Sequence, residues 1–106
     1  MRVTTHLVND GVIRLAVSGE LDLGTADLLT DTVDEVLATA RPAEVVLDLA
    51  ELSLCDSVGV DALLRARAAA NAQAVHLTVI NPRGIVRRVL DVTGTLDRLT
   101  AVPALS

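Results

Sequence analysis

A short polar stretch of the chain combines residue types that can take part in chemistry. Asp56, Ser57 and Gly59 follow an apolar, strand-like run and precede a helical pattern. A serine at such a junction suits four roles: capping the helix, acting as a hydrolase nucleophile, helping to cradle a phosphate, or accepting a phosphoryl group from another enzyme. These roles differ in the other residues that they require.

Hydrolysis by Ser57 finds little support in the rest of the chain. A hydrolase elbow reads Gly-x-Ser-x-Gly, because a small residue two positions before the serine permits a sharp turn. Cys55 occupies that position here. A serine nucleophile also needs a histidine base, and the two histidines, His6 and His76, fall on predicted strands. We therefore expect no hydrolase activity.

Nucleotide, receiver and metal chemistry each lack a required residue. All nine basic residues are arginine, whereas a nucleoside-triphosphate cradle ends in lysine. A phosphoacceptor aspartate of the two-component receiver type, at Asp48 or Asp56, would lack its usual lysine as well. One cysteine and two distant histidines give no set of metal ligands. The sequence thus predicts neither catalysis nor a bound metal or cofactor.

Modification of Ser57 by a kinase is the functional interpretation that remains. A serine in the first turn of an exposed helix is accessible, and we expect the small Gly59 to let a partner's backbone come close. Phosphorylation adds about −1.5 to −2 charges, which a helix N-terminus tolerates although Asp56 opposes them. The phosphate should leave the fold intact and act at an interface. A plain helix cap at Asp56 or Ser57 stays open on the junction alone.

Composition limits both the core and the partners. A chain of 106 residues suits one domain, spanning residues 1–106, whose core must come from Leu, Val, Ile and Ala because aromatic residues are absent. The missing aromatics also remove the stacking surfaces of single-stranded nucleic-acid binders. With a formal net charge of −5, the general surface repels phosphate backbones, so we expect no direct nucleic-acid binding.

Cysteine use and hydropathy bear on location. Cys55 cannot form an internal disulfide because it is the only cysteine, and its apolar surroundings predict a small buried side chain. No run reaches the roughly 18 apolar residues of a membrane span, and the N-terminus lacks the layout of a secretory signal. We expect a soluble protein of a reducing cytoplasm, without a membrane partner.

Period-two patterns predict a hairpin followed by further strands. Asn-Asp-Gly at residues 9–11 lies between two β-rich runs and is a strong hairpin signal, because the tight turn favours residues that tolerate positive φ. The second run places Ile13, Leu15 and Val17 on one face. The predicted strands cover residues 2–8, 12–18, 45–49, 75–80 and, in the tail, 96–102.

Apolar residues at helical spacing predict three helices. The first begins at Gly24 or Thr25 and is broken by Arg41-Pro42, the second reaches about residue 71, and the third spans about residues 83–92. The predicted buried stripes are Leu28, Leu29, Val33, Val36 and Leu37 on the first helix, Val60, Leu63, Leu64 and Ala68 on the second, and Ile85, Val86, Val89 and Leu90 on the third.

The order of these elements predicts an α/β fold. A strand, a helix and a further strand in succession form a right-handed parallel crossover, whereas the opening hairpin is antiparallel. The sequence therefore predicts a single α/β domain with a mixed sheet of four to five strands, opened by a β-hairpin, and about three helices.

Three separated stretches of the chain form a pattern when they are taken together. They are Ser-Gly-Glu-Leu-Asp at residues 18–22 with Thr25-Ala26, the segment 46–49 continued by 52–59, and Val-Leu-Asp-Val-Thr-Gly at residues 89–94. Each stretch alone is weakly specific. In this order and spacing, over nearly the whole chain, they resemble the STAS domains, and within them the anti-sigma factor antagonists of bacteria.

The resemblance implies a protein without catalysis of its own that binds an anti-sigma factor and so frees a sigma factor. In the family the anti-sigma factor is often also a serine kinase, and a phosphatase reverses the mark. The acceptor serine of the family's Asp-Ser-x-Gly motif matches Ser57, so phosphorylation there would switch the protein off. The residues assigned to partner binding by the resemblance are Asp22, Thr25, Asp56, Ser57, Val58 and Gly59.

The chain departs from the family pattern at three positions. Val58 stands where many members carry a second serine or threonine, which removes an alternative acceptor. Leu54 and Leu90 replace aromatic residues that are common in the family. These departures leave the identity of the partner open.

A second hypothesis keeps the fold but drops the switch. The chain would then be a non-switching scaffold subunit of a larger signalling or lipid-transport assembly, with Ser57 only capping its helix. Structural roles also stay open for single residues: Asp22 as a helix cap, Gly59 as helix–sheet packing, and Arg83, Arg87 and Arg88 as a solvated face.

Overall fold

Strands and helices alternate along the chain after an opening pair of strands. A computed structural model describes residues 1–9 and 11–100. The elements are β1 (Arg2–Asn9), β2 (Val12–Leu21), α1 (Ala26–Ala40), β3 (Glu44–Cys55), α2 (Ser57–Ala72), β4 (His76–Ile80), α3 (Gly84–Val92) and α4 (Leu96–Thr100).

The strands form one four-stranded mixed sheet in the order β1-β2-β3-β4. β1 pairs with β2 antiparallel, whereas β2 with β3 and β3 with β4 are parallel. This confirms the prediction of a mixed sheet that opens with a hairpin and continues by parallel crossovers. Asp10, at the centre of the predicted tight turn, lies outside the described residues.

The prediction of a strand at the tail is wrong for the residues that the structure describes. Leu96–Thr100 is the helix α4, and its Leu99 is fully buried. Leu96 and Leu99 are three positions apart, so they lie on the same face of a helix. In a strand, residues three positions apart would point to opposite sides of the sheet. Residues 101 and 102, which the prediction also covered, lie outside the described residues.

The buried face of the sheet follows the predicted alternation. Ile13, Leu15 and Val17 of β2 are all buried. Leu15 pairs in register with Leu47 on β3, and Leu47 pairs with Val79 on β4, so one apolar row crosses three strands. Because period-two side chains alternate between faces, the intervening residues of β2 lie on the opposite face.

The first and third helices bury narrower stripes than the sequence predicts. Leu28 of α1 is 47% exposed and Ile85 of α3 is 54% exposed, although both were expected in the core. On α3 only Val86 and Leu90 are buried, and Val89 is half-buried. A helix rests on its neighbours along a line, so apolar residues at the margin of a wide stripe stay in contact with solvent.

The second helix turns a different face to the core from the one predicted. Val60 and Leu63 are buried as expected, but Leu64 is half-buried and Ala68 is exposed. Ala62, Ala66 and Ala70 lie inside instead, together with Gly59. Small side chains along this line let α2 approach its neighbours closely, which fits a core built without aromatic rings.

The third strand is longer than the predicted residues 45–49. β3 continues to Cys55, and register shifts between Ala16 and Ser18 and between Gly19 and Glu20 keep it paired with β2. Such irregularities let a strand bend without losing its partner. The extension carries β3 to the start of α2, where the polar junction lies.

A charged cluster occupies the opposite face of the sheet. The buried Asp48 accepts a hydrogen bond from Arg14 Nη1 at 2.9 Å through Oδ2. Its Oδ1 accepts from the Ala50 N–H at 3.0 Å and from the Asn81 amide at 3.2 Å. Burial alone would raise the pKa of Asp48, but these hydrogen bonds and the charge of Arg14 outweigh it and lower the pKa below its ordinary value.

Neutralising Asp48 should therefore destabilise the fold in a pH-dependent way. Because the folded-state pKa lies below the ordinary 3.8, the carboxylate stabilises the fold above that value and ceases to do so as pH falls through the folded pKa. We expect Asp48→Asn to lower the free energy of unfolding by about 1–2 kcal/mol at neutral pH, a modest figure because Arg14 is partly exposed.

Urea denaturation of the two proteins from pH 7 down to about pH 3 measures this difference, which should shrink below about pH 4. Glu51→Gln removes an exposed carboxylate that lines the same cavity as Arg14 and Asp48, and it serves as the control. A deficit that stayed constant over the whole pH range would show that the Asp48 charge is not its cause.

Candidate functional site

The ends of β2 and β3 bring the two polar segments of the pattern together. Leu21 and Cys55, the last residues of these strands, are register partners. The backbone N–H of Asp56 donates to the Leu21 carbonyl at 3.2 Å. The loop that begins with Asp22 therefore lies beside the junction at Asp56 and Ser57, although 34 positions separate Asp22 from Asp56 along the chain.

Asp56 is the cap of α2. Its backbone is extended, with φ −94° and ψ −174°, and its Oδ1 accepts from the Gly59 N–H at 2.8 Å. This hydrogen bond satisfies one of the donors that a helix N-terminus leaves free. Of the two residues that the sequence offered as a cap, Asp56 has this role, so the Ser57 hydroxyl is not needed for it.

Ser57 is the first residue of α2 and is exposed to solvent. None of the side-chain hydrogen bonds found among residues 1–9 and 11–100 involves its hydroxyl, and those nearest to it in the chain belong to Ser53, Cys55 and Asp56. A short side chain on the first turn is held in place by a regular backbone while its oxygen stays accessible. Ser57 is therefore an exposed side chain at a fixed position in the first turn of α2.

Hydrogen bonds of Asp22 and Thr25 hold the loop between β2 and α1 in one conformation. Asp22 Oδ1 accepts from the Gly24 N–H at 3.0 Å and lies 3.2 Å from Thr25 Oγ1. Thr25 Oγ1 accepts from the Asp22 N–H at 3.0 Å and lies 2.8 Å from the Glu20 carbonyl, to which it donates. These local bonds fix the backbone between β2 and α1. Asp22 thus orders the loop, and its carboxylate remains only partly buried.

Gly59 packs inside the domain, against β2 and β3. A Cβ added at Gly59 would lie 2.5 Å from the Leu21 carbonyl oxygen and 3.0 Å from both Cys55 Sγ and Leu21 Cγ. The residue is buried. The expectation that this glycine opens the surface to a partner's backbone is therefore corrected, because the space beside its Cα is filled by β2 and β3. The alternative of helix–sheet packing describes the position.

Exposed leucines border the site, and sequence reasoning did not assign them to it. Leu23, directly after Asp22, is 78% exposed, and Leu54, three positions before Ser57, is exposed as well. Leu28 lies in the first turns of α1, next to the same loop. Val58 is half-buried and packs against the core. An apolar residue inside a polar loop, as at Leu23, is a signal that could have drawn attention to this rim.

The Cys55 thiol is not a reactive group. Its side chain is buried, and burial together with the charge of Asp56 raises its pKa to about 11. The thiolate, which is the nucleophilic form, is therefore scarce at neutral pH. The prediction of a small buried side chain is confirmed.

Neither histidine is placed to activate Ser57. His76 begins β4 and pairs with Glu44 at the start of β3, whereas Ser57 follows the opposite end of that strand. His6 lies on the edge strand β1, where it pairs with Arg14. A serine nucleophile needs its base within hydrogen-bond reach, so this arrangement gives no hydrolase dyad.

Residues 1–9 and 11–100 contain no group of three or more His, Cys, Asp or Glu side chains that could hold a metal ion. None of the helices in this part of the chain has the length and apolar character that crossing a membrane requires.

The fold and the polar junction define a small α/β domain with a mixed sheet and a polar site at the ends of β2 and β3. Residues 5–105 match the STAS domain family. The chain belongs to this family. The match includes both polar segments of the site, the loop at Asp22 and the junction at Ser57.

Particular relatives are named as antagonists of anti-sigma factors. The anti-sigma-F factor antagonist RsfB of Mycobacterium tuberculosis is 33% identical over 90 residues, which cover 85% of this chain and 71% of that protein. A crystal structure of an anti-sigma factor antagonist from Mycobacterium paratuberculosis has a TM-score of 0.73 and 30% identity, covering 98% of this chain and 88% of the other. The unphosphorylated anti-sigma factor antagonist SpoIIAA has a TM-score of 0.78, covering 98% and 90%. At 19% identity, this last likeness concerns the fold alone.

Proposed function

We propose that this STAS protein is an anti-sigma factor antagonist whose binding is controlled at Ser57. It binds an anti-sigma factor that is also a serine kinase, which releases a sigma factor, and phosphorylation of Ser57 ends the binding until a phosphatase removes the phosphate. The observation that carries the proposal is the exposed, unbonded hydroxyl of Ser57 at the start of α2. The relatives named as antagonists support the same role.

The surface around Ser57 suits docking of a protein. Leu23, Leu28 and Leu54 give it apolar area that contact with a partner would remove from water. Asp22 adds a carboxylate on a loop that its own hydrogen bonds hold in place. A preordered surface loses little conformational entropy on binding. The proposed contact residues are Asp22, Thr25, Asp56, Ser57 and Val58, with Gly59 acting through its packing.

A phosphate on Ser57 would disturb the complex far more than the isolated fold. The helix dipole and the free N–H groups at the start of α2 favour an anion there. Asp56 already uses the Gly59 N–H at 2.8 Å and adds a like charge, so the phosphate is left pointing to solvent. When a partner docks, the same phosphate would lose its hydration without gaining a counter-ion, which costs binding free energy.

Incubation with a cognate anti-sigma kinase and ATP tests the proposal. We expect a single phosphate on the intact protein, assigned to Ser57 by peptide mass spectrometry, and none on Ser57→Ala. Ser53→Ala is the matched control, because Ser53 is also exposed but donates its hydroxyl to the Gly19 carbonyl at 2.9 Å.

Two results would count against the proposal. Phosphate on another residue would contradict the site, and no transfer by any cognate kinase, with partner binding indifferent to Ser57, would favour the non-switching scaffold. Binding of an anti-sigma factor would place the protein in the bacterial cytoplasm, and it requires no contact between this chain and DNA or a membrane.

A further inference from the structure

The outer edge of β1 is open. β1 lies at one end of the strand order and, among residues 1–9 and 11–100, pairs with β2 alone. Arg2 and residues 4–8 are exposed, with Leu7 at 78% and Val8 at 50%. Proteins commonly protect an open edge with lysine, proline or inward-pointing charges. β1 contains no lysine, proline or acidic residue, and its pairing with β2 is regular from Arg2 to Leu7. The edge is therefore able to accept another strand.

The direction of the backbone groups shows which residues another strand would meet. The Gly11 carbonyl, just before β2, accepts the N–H groups of Ala43 and Glu44 at 2.7 and 3.0 Å, so it points to β3. Backbone groups alternate sides along a strand, so the odd-numbered residues of β2 turn theirs to β3 and the even-numbered ones to β1. Thr5 is paired with Leu15 in this register. The residues of β1 whose N–H and C=O groups point outward are therefore Val3, Thr5 and Leu7.

We infer that β1 of a second copy of this chain pairs with this edge, antiparallel and centred on Thr5. Thr5 then lies opposite Thr5 of the second copy, and Val3 lies opposite Leu7 of that copy. In this register the residues with outward backbone groups meet one another, so they form the hydrogen-bonded pairs of an antiparallel ladder. The two four-stranded sheets join into one sheet of eight strands, related by a two-fold axis through the Thr5 pair.

The side chains of the edge favour a second copy over an unrelated extended peptide. Val3 is half-buried and packs against the core, whereas Leu7, on the same side of the strand, is exposed. The two-fold pairing places each exposed Leu7 beside Val3 of the other copy, next to that copy's core. On the other side of the sheet the alkyl stem of Arg2 can cover Val8. One symmetric register thus covers both exposed apolar side chains of each strand.

Charge does not attract the two copies but does not forbid the contact. Arg2 lies opposite Val8, so the register sets no like charges directly against each other. Each copy as a whole carries −5, and the repulsion between the copies is screened by salt. The contact is small, so we expect weak association. The inference does not depend on the proposed function, because Ser57 follows the end of β3, which β2 separates from β1.

Sedimentation equilibrium on the intact protein tests the inference. From about 10 μM to 1 mM protein, the average mass should rise from the 11.1 kDa monomer towards twice that mass and no further, because the pairing uses up the edge. Raising NaCl from about 0.05 M to 0.5 M should leave the association unchanged or strengthen it. A monomer at every concentration would overturn the inference, and so would association that salt weakens several-fold.

Opposite charges at Thr5 test the register. Thr5→Lys and Thr5→Glu should each weaken association at least about tenfold alone, because like charges then face each other across the two-fold axis. An equal mixture of the two variants should restore it. Thr39→Lys and Thr39→Glu, at an exposed threonine of α1, are the matched controls and should associate as the native protein does. The inference fails if both Thr5 variants associate normally, or if their mixture remains monomeric.

A disulfide at the same position gives a second readout. Residues opposite each other in a hydrogen-bonded antiparallel pair have Cα atoms about 5.5 Å apart, which a disulfide can span. Under mild oxidation Thr5→Cys should form a covalent dimer at least about ten times faster than Thr39→Cys. The native protein should form none, because Cys55 is buried. Equal rates for the two variants would rule out the pairing at Thr5.

Discussion

Replacing Gly59 with alanine is expected to lower the free energy of unfolding by about 2–3 kcal/mol. The added Cβ would sit 2.5 Å from the Leu21 carbonyl oxygen, a backbone atom that cannot turn aside. That carbonyl also accepts the Asp56 N–H at 3.2 Å, so relief of the clash moves α2 away from β2 and strains this bond. The higher helix propensity of alanine, about 1 kcal/mol, offsets only part of the loss.

Urea denaturation followed by circular dichroism measures this change, with Gly24→Ala as the matched control. Gly24 lies in the loop before α1, and a Cβ there would meet only Asp22 Oδ1 at 3.5 Å, an ordinary contact. We expect the control to stay within about 0.5 kcal/mol of the native protein. If Gly59→Ala were equally harmless, α2 would not be held against β2 as closely as the distances indicate.

The second large effect is expected on binding. Ser57→Asp should weaken the affinity for the anti-sigma partner at least about 100-fold, because a like-charge or unpaired charge buried at an interface costs several kcal/mol. The same change should alter the free energy of unfolding by less than about 0.5 kcal/mol, since Ser57 is exposed and an anion is tolerated at a helix N-terminus.

Calorimetric titration of the partner measures the affinity, and thermal unfolding of the free domain measures the stability. Ser57→Asn is the matched control, because asparagine has the size of aspartate without its charge; it should bind within about tenfold of the native protein. Equal losses for both variants would assign the effect to bulk. A large fall in stability for Ser57→Asp would contradict the view that the charge acts at the interface.

Both predictions rest on the same arrangement, in which the start of α2 is fixed from inside the domain while Ser57 is exposed outside. Gly59 and the Leu21 carbonyl set the position of α2 from within, and Asp56 fixes its first turn. Ser57, on the other side of that turn, faces solvent. A rigid support lets a single added charge change binding without a change of fold, which is how a phosphate acts as a switch at an interface.

The sequence by itself determined the features that depend on near neighbours. The alternation of Ile13, Leu15 and Val17 predicted the buried face of β2, because side chains alternate along any strand. Asp56 was one of two predicted caps, because a cap needs only a short oxygen-bearing side chain before a helix. The opening hairpin and the parallel crossovers followed from the order of the elements.

Only the tertiary structure decided which residues are buried and which distant segments of the chain lie side by side. Leu28 and Ile85 have the helical spacing of core residues but stay exposed, because no other element covers them. Gly59 has an internal role because Leu21, 38 positions earlier in the chain, comes within contact distance. The approach of Asp22 to Ser57 likewise follows from the pairing of two strand ends. Local sequence sets periodicity and caps, whereas burial and proximity are properties of the packed whole.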